Sequence, residues 1–384
     1  MTAVKPTDRQ QTSARPARAD SRVRDWLSGG IMKDRTVLLL VLVIALIVVM
    51  TILDLTGQTR GDFNSDYLAS SLIAYVPLAL LAIAELFVIT SGRGGIDLSV
   101  GSMVSLSGIV FAMLFQQAGL PILVSIVLAV LFGAVLGAVN GFLSAYLGFP
   151  PLIATLATFY GYRSIALVIS DQRPISGPEI SEFYNAAKAI ELPVIGGGLP
   201  LVPLGVFTFL IPVAIVAWFV LNRTAFGRSL YAIGTNDTAA QWAGIDTRRK
   251  RMTAFVAAGA ISGLVGVYTV AQFASARPDA GTSGGGMALP AITIAVLGGV
   301  AITGGIGRLS GVLLAALLIV WLNASILIVV PGNDGAQAQL LALGLVLLGA
   351  ALFGQFSLRR KRSSPPPTGT GTSPIMTQPG SPKP

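Results

Sequence analysis

Between Thr36 and Leu55 the chain reads TVLLLVLVIALIVVMTILDL, apolar almost all the way round any helix drawn through it. About 20 such residues cross a hydrocarbon core of ~30 Å. Runs of comparable length follow, and a pass along the chain predicts spans at 36–55, 68–90, 95–115, 120–144, 151–170, 201–222, 252–271, 289–307, 309–330 and 338–357. Only 11% of the residues are charged, against roughly 25% in soluble domains. A water-soluble core is excluded. The predicted fold class is an all-α membrane protein, a polytopic bundle of about ten transmembrane helices. The first run is longer than the apolar stretch of a secretory signal and follows a long polar leader, so it reads as a retained helix. A transmembrane domain over 36–357 is thus bracketed by polar tails, 1–35 and 358–384, whose composition is that of disorder.

Charge orients the bundle. If the spans alternate, one set of connections holds the N-terminal tail, the Arg93 loop, the 223–251 loop, the Arg308 turn and the C-terminal tail. That set carries 21 of the 26 Lys and Arg residues. Basic residues accumulate on the cytoplasmic side of spanning proteins, so both termini are expected in the cytoplasm of a bacterial plasma membrane. The excess of basic residues lies between apolar runs, where it suits anionic lipid headgroups rather than nucleic acid.

Several chemistries are missing. The chain has no cysteine and no histidine, which removes thiolate chemistry, the commonest metal ligand and the commonest general base. Carboxylate chemistry stays open. No lysine follows a glycine, so the phosphate-binding GxxxxGK[ST] loop is absent, and Gly305, Gly307 and Gly311 have the wrong spacing for a dinucleotide fingerprint. The chain is therefore expected to be no enzyme, with no cofactor of its own; any ATP and Mg2+ belong to another polypeptide.

The helices carry internal features. Gly133, Gly137 and Gly141, and Gly259 with Gly263, form GxxxG steps; small residues let helix backbones approach closely, and packing is the preferred reading. Aligned at constant offset, Pro77–Gly92 and Pro290–Gly305 match at Pro77/Pro290, Ala82/Ala295, Ile89/Ile302, Thr90/Thr303 and Gly92/Gly305. Each then runs into a glycine-rich break and another apolar helix. A weak parallel repeat with broken or re-entrant helices is a transporter construction, though chance similarity between membrane helices is the alternative.

Three segments stand out. In Thr90–Gly108, TSGRGGIDLSVGSMVSLSG, the glycines 92, 94, 95 and 101 forbid an uninterrupted helix, since each interior glycine costs up to ~1 kcal/mol. Asp97 or Ser99 can cap the helix that follows. The segment is either a cytoplasmic turn with its cap or a hinge at the inner mouth of a pathway. In Asn222–Arg251, NRTAFGRSLYAIGTNDTAAQWAGIDTRRKR, a helical stretch over Asn236–Ala243 is capped by Asn236 and shows a small face at Ala239, Ala240 and Ala243, and Arg248–Arg251 marks the membrane boundary. Glu85 lies deep in the second span. An ionised group there costs ~2.5–3.5 kcal/mol on insertion scales, so it is expected to face the bundle interior or be protonated. It is read as either an ion site or a hydrogen-bonding partner for a neighbouring helix. Arg163, near the interfacial part of a short span, can snorkel.

GGIDLSVGS, Gly94–Ser102, resembles the signature of permeases in the ribose, xylose and related sugar importers, and Asn140–Leu167, NGFLSAYLGFPPLIATLATFYGYRSIAL, is similar to a second segment of that family. The resemblance covers roughly residues 65–355, with Arg93 standing where these permeases often have an uncharged residue. It implies a permease subunit of an ATP-binding-cassette importer for a monosaccharide or related polyol or furanosyl compound. It also implies an ATPase subunit, a second permease chain and an extracytoplasmic sugar-binding protein as partners, the last received by outer segments such as Ser181–Leu192. By the same resemblance YAIGTNDTAAQWAGI is the helix that docks into the ATPase, with Gly234, Asn236, Ala239, Ala240, Gly244 and Ile245 at the contact. Gly94, Gly95, Asp97, Ser99, Glu85, Asn140 and Thr155 are the pathway or gate candidates. The rival reading is an ion-coupled secondary transporter.

Overall fold

The computed structural model describes residues 35–186, 202–283 and 286–362, with side chains to Ala350. Of the predicted tails, residues 1–34 and 363–384 lie outside the described residues, as do positions 187–192 of the outer segment. Chain order gives α1 (Arg35–Leu55), α2 (Ser65–Thr90), α3 (Val100–Ala112, prolonged by a π turn Met113–Gln117) and α4 (Ile122–Ala145). Then come α5 (Pro151–Ile169), α6 (Pro178–Ala186), a π turn at Val206–Leu210 leading into α7 (Ile211–Arg223), α8 (Ala225–Thr235) and α9 (Asp237–Trp242). The last four are α10 (Thr247–Phe273), α11 (Ala288–Leu297), α12 (Leu309–Val329) and α13 (Asn333–Arg362). Among the described residues, eight helices are long and apolar enough to cross a membrane. The chain is an all-α polytopic membrane protein.

One predicted boundary is corrected. The span expected at 289–307 stops at Leu297. In the repeat alignment Gly298 and Gly299 stand where Glu85 and Leu86 continue α2, and Gly299 takes φ +97°, which a helix does not tolerate. The second copy therefore breaks earlier than the first. The helix over the last predicted span, α13, runs on to Arg362.

Helices α2 and α10 form the middle of the bundle and are the most buried of the long spans. They run antiparallel: the Tyr268 hydroxyl donates to Ile73 O at 3.0 Å near one end, and Arg251 Nη2 donates to Ser91 O at 3.3 Å at the other. Helix α12 also runs antiparallel to α2, with Tyr67 Oη donating to Ala324 O at 2.6 Å and Tyr75 Oη to Leu313 O at 3.2 Å. The expected glycine packing is present between α4 and α10. A Cβ on Gly133 would lie 2.8 Å from Gly263 Cα, and one on Gly137 would lie 3.0 Å from Gly259 Cα. The outward faces of α4, α5 and α7 carry exposed apolar side chains such as Leu123, Val168 and Val216, as helices in lipid do.

The ends of the bundle sort as the alternating topology expects. At one end the break after α2, the α8–α9 segment and the break after α11 meet. At the other, Ile175 and Ala276 exchange backbone hydrogen bonds of 2.9 and 2.8 Å in an isolated antiparallel bridge.

Candidate functional site

A groove of about 430 Å3 opens beside α9 and is lined by Tyr231, Ala232, Thr235, Asn236, Ala239, Ala240, Ala243 and Ile245. Local chemistry fixes its short helix at both ends. The Asn236 side chain accepts the Ala239 N–H at 3.0 Å, satisfying one of the first-turn donors. At the other end Gly244, at φ +79°, donates to Gln241 O at 2.9 Å and Ile245 N donates to Ala240 O at 3.0 Å. That pair of bonds is a Schellman motif, which explains the glycine. Ala239 and Ala243 are exposed, Ala240 is buried beneath them, and Trp242 projects 89% exposed at the edge. Arg228, Arg248 and Arg249 are exposed nearby. The Tyr231 hydroxyl donates to Gly307 O at 2.9 Å; burial pushes its pKa up, which keeps it a neutral donor.

Beneath the groove, α8 ends against both breaks of the repeat. A Cβ on Gly234 would meet Thr90 O and the Gly305 backbone, with Gly305 Cα at 2.8 Å. One on Gly92 would lie 2.9 Å from Gly234 Cα, and one on Gly304 would lie 2.8 Å from Gly92 N. Gly305 N donates to Thr90 O at 3.0 Å. Three chain segments thus touch backbone to backbone, a closeness only glycine permits. The aligned residues Gly92 and Gly305 both sit at this junction, so the two glycine-rich breaks meet under α8.

A second cluster shapes the first break. Asp97 Oδ1 accepts from Ser99 N at 2.9 Å and from Ser99 Oγ at 2.6 Å. Asn140 Nδ2 reaches both Asp97 oxygens at 3.3 Å and Ser99 Oγ at 2.7 Å. Thr158 Oγ1 donates to Asn140 Oδ1 at 2.6 Å, and Thr155 Oγ1 accepts from Leu98 N and donates to Ile96 O, both at 3.2 Å. Glu85 accepts the Asp97 N–H through Oε2 at 3.4 Å, while Oε1 has no partner among the described residues. Glu85, Asp97, Ser99, Asn140 and Thr155 are all fully buried. They face one another across α2, the break, α4 and α5. The knot therefore braces the break.

The structure thus gathers five of the seven predicted gate residues and leaves two apart. Gly94 is exposed at φ +67° with open space around its missing Cβ, while Gly95 packs against Val88 O and Gly92 O. Ser99 sits at the helix start without a side-chain cap bond, so the capping role expected of Asp97 or Ser99 takes another form: the Asp97 carboxylate holds the Ser99 N–H one step earlier. Glu85 bonds to the break rather than to a neighbouring helix. Arg163 is exposed, as snorkelling requires. The run Arg248–Arg251 is not uniformly solvated: Arg251 is 1% exposed. Its Nη2 donates to Asp237 Oδ1 at 3.0 Å, and Arg93 Nε lies 3.3 Å from Asp237 Oδ2. Sequence reasoning missed Asp237, Arg251 and Thr158. Arg93 enters the sequence reading through the charge ordering of the loops and as a departure from the family, and its charge is the available signal.

A bundle of broken, antiparallel helices around two buried spans, with a capped helix and groove at one end, defines a polytopic membrane protein. The family described as the permease component of branched-chain amino acid transport systems matches residues 67–354, three quarters of the chain, and the chain belongs to it. Among curated relatives, the D-allose transport system permease protein AlsC of Escherichia coli is 35% identical over 71% of this chain and 78% of its own length. The ribose import permease protein RbsC of Haemophilus influenzae is 34% identical over 80% and 90%, respectively. The autoinducer 2 import system permease protein LsrD of an Enterobacter species is 33% identical over 75% and 83%. No solved structure matches the chain at a significant level.

Proposed function

We propose that this chain is the permease subunit of a bacterial ATP-binding-cassette importer. It would form the translocation pathway for a monosaccharide or a related small polyol or furanosyl compound. ATP and Mg2+ act in a separate chain, which docks in the groove at Tyr231–Ile245. A second permease chain completes the pathway, and an extracytoplasmic sugar-binding protein delivers the solute to the opposite end, where α6 lies. Both termini face the cytoplasm. The relatives that carry ribose, allose and autoinducer 2 support the cargo class.

The observation that carries the reading is the groove itself. Its small residues sit on α9, a helix fixed by caps at both ends, and the α8 that leads into it is seated on the two glycine-rich breaks. A surface helix that served only to connect spans would need neither an open apolar trough nor that seating.

Ala239 is exposed, so a larger side chain there blocks a partner without crowding the bundle. Ala239→Leu is expected to lower ATP-dependent uptake of the transported member of a ribose, allose and autoinducer 2 panel by roughly tenfold or more, as loss of a central interface contact does. The chain should remain folded and ATP hydrolysis by the importer should persist. Unchanged uptake would count against docking here. Uptake by the purified chain alone, driven by an ion gradient, would establish the ion-coupled alternative instead.

A further inference from the structure

Asp237 is the first residue of α9, directly after its cap, and both of its carboxylate oxygens are engaged. Oδ1 takes Arg251 Nη2 at 3.0 Å from α10, and Oδ2 lies 3.3 Å from Arg93 Nε in the break after α2. The same Arg251 Nη2 also reaches Ser91 O at 3.3 Å, so one guanidinium ties the docking helix to the first residue of the break. Arg251 is 1% exposed, and its Nε and Nη1 have no partner among the described residues. Asp237 is thus the carboxylate this buried cation depends on. Arg93 is 61% exposed and closes the pair from the solvent side.

These contacts form a short mechanical path. Asp237 holds Ser91 through Arg251 and holds Arg93 directly. Six residues beyond Ser91, Asp97 is bound by Ser99 and Asn140 in the buried knot that positions the start of α3. Beside the path, Gly234 seats α8 on Thr90 and Gly305. A displacement of α9 by a docked partner would otherwise be absorbed at Asn236, the single residue between α8 and α9. With Asp237 clamped, α9 cannot move without pulling on the break.

We propose that Asp237 is a positioning residue of transport, the strut through which motion of the docked ATPase reaches the break between α2 and α3, with Arg93 and Arg251 as its two anchors. The proposal rests on the docking reading above and adds the route the motion takes.

The chain has no cysteine, so a single thiol reports cleanly. Leu98→Cys places it in the break at a half-buried position whose backbone N–H is held by Thr155. The importer is purified from host membranes through a tag on this chain. The rate of modification by a small methanethiosulfonate is then compared with and without ATP plus orthovanadate. In the otherwise unmodified chain trapping is expected to change that rate by about fivefold or more, the lower end of typical coupling between sites. In Asp237→Asn the ratio should fall to about one while the ATPase stays bound, and Asp237→Glu should restore it, which loss of fold alone would not allow. Arg93→Gln, at an exposed side chain, should give a reduced response, and it carries the test should Asp237→Asn fail to fold.

A full response in Asp237→Asn, or in Arg93→Gln when that variant carries the test, overturns the proposal. Loss of the ATPase from folded Asp237→Asn also overturns it, assigning Asp237 to docking instead. A failure of the docking reading shows differently: no ATP-hydrolysing chain accompanies even the unmodified protein, and both readings fall together.

Discussion

Gly234→Ala adds one methyl group at the place where three backbones converge. The new Cβ would meet Thr90 O and the Gly305 backbone, with Gly305 Cα at 2.8 Å, and none of these atoms belongs to a flexible side chain. Either α8 shifts away or the two breaks separate. Overpacking a close contact costs about 1–3 kcal/mol. Separation also stretches the 3.0 Å bond from Gly305 N to Thr90 O, a further ~0.5–1.5 kcal/mol. The expected loss is about 1.5–4.5 kcal/mol, a shift of roughly tenfold to two-thousandfold in the unfolding equilibrium. Better helix propensity of alanine returns less than ~1 kcal/mol. The assay is reversible unfolding in mixed SDS and mild-detergent micelles, with Gly344→Ala as the control. Gly344 is exposed, helical and has nothing within 4 Å of its missing Cβ, so that control should hold or gain stability. Equal midpoints for the two variants would refute the convergence of the breaks on α8.

Three further outcomes follow from the same contacts. Asn140→Leu leaves Asp97 Oδ2 without its donor, while Ser99 keeps its bonds to Asp97 Oδ1 and Thr158 its bonds to Ala154 O and Thr155 O; unfolding should show a loss of about 1–3 kcal/mol, the cost of one buried group left unpaired. Glu85→Gln keeps an acceptor for the Asp97 N–H and should retain uptake within about twofold, whereas Glu85→Leu leaves that N–H unpaired and should lose ~1–3 kcal/mol of stability; abolished uptake in the glutamine variant would show that the charge itself is required. Gly259→Leu places a side chain where a Cβ already comes within 2.8 Å of Gly137 Cα, so α4 and α10 should separate and the chain should be recovered poorly folded from membranes, seen as early elution or aggregation on size exclusion.

Much of the fold was legible because lipid simplifies the problem: a helix that must cross about 30 Å of hydrocarbon announces itself by an apolar run, and Thr36–Leu55 needed no partner to be recognised. Basic residues ordered the ends, and the structure brings the Arg93 break, the α8–α9 segment and the Gly304–Gly305 break to one place, as that ordering required. The span over 289–307 was misread because Gly298 and Gly299 are apolar enough to pass as helix, although Gly299 adopts a backbone angle that ends one. At the candidate site, local chemistry was readable and long-range chemistry was not. The Asn236 cap and the small face of α9 follow from neighbours in the chain. The bond between Asp237 and Arg251 joins residues fourteen apart across a turn, and the one between Asp237 and Arg93 spans far more of the chain. No periodicity marks such pairs. The knot around Asp97 lies between these cases: Glu85, Asp97 and Ser99 stand out singly in the sequence, and only the fold shows that Asn140 and Thr155 bind the break itself.

The account turns on the groove beside α9 receiving a separate ATP-hydrolysing chain. Ala239→Cys, the sole thiol in the chain, can be coupled in host membrane vesicles to a short photo-reactive probe and illuminated. The account predicts one dominant adduct, between this chain and an ATP-binding polypeptide, located by mass spectrometry at the ATPase surface and reduced by Ala243→Leu. Modification of the same cysteine in intact cells by a thiol reagent that cannot cross the membrane would place the groove outside and contradict it.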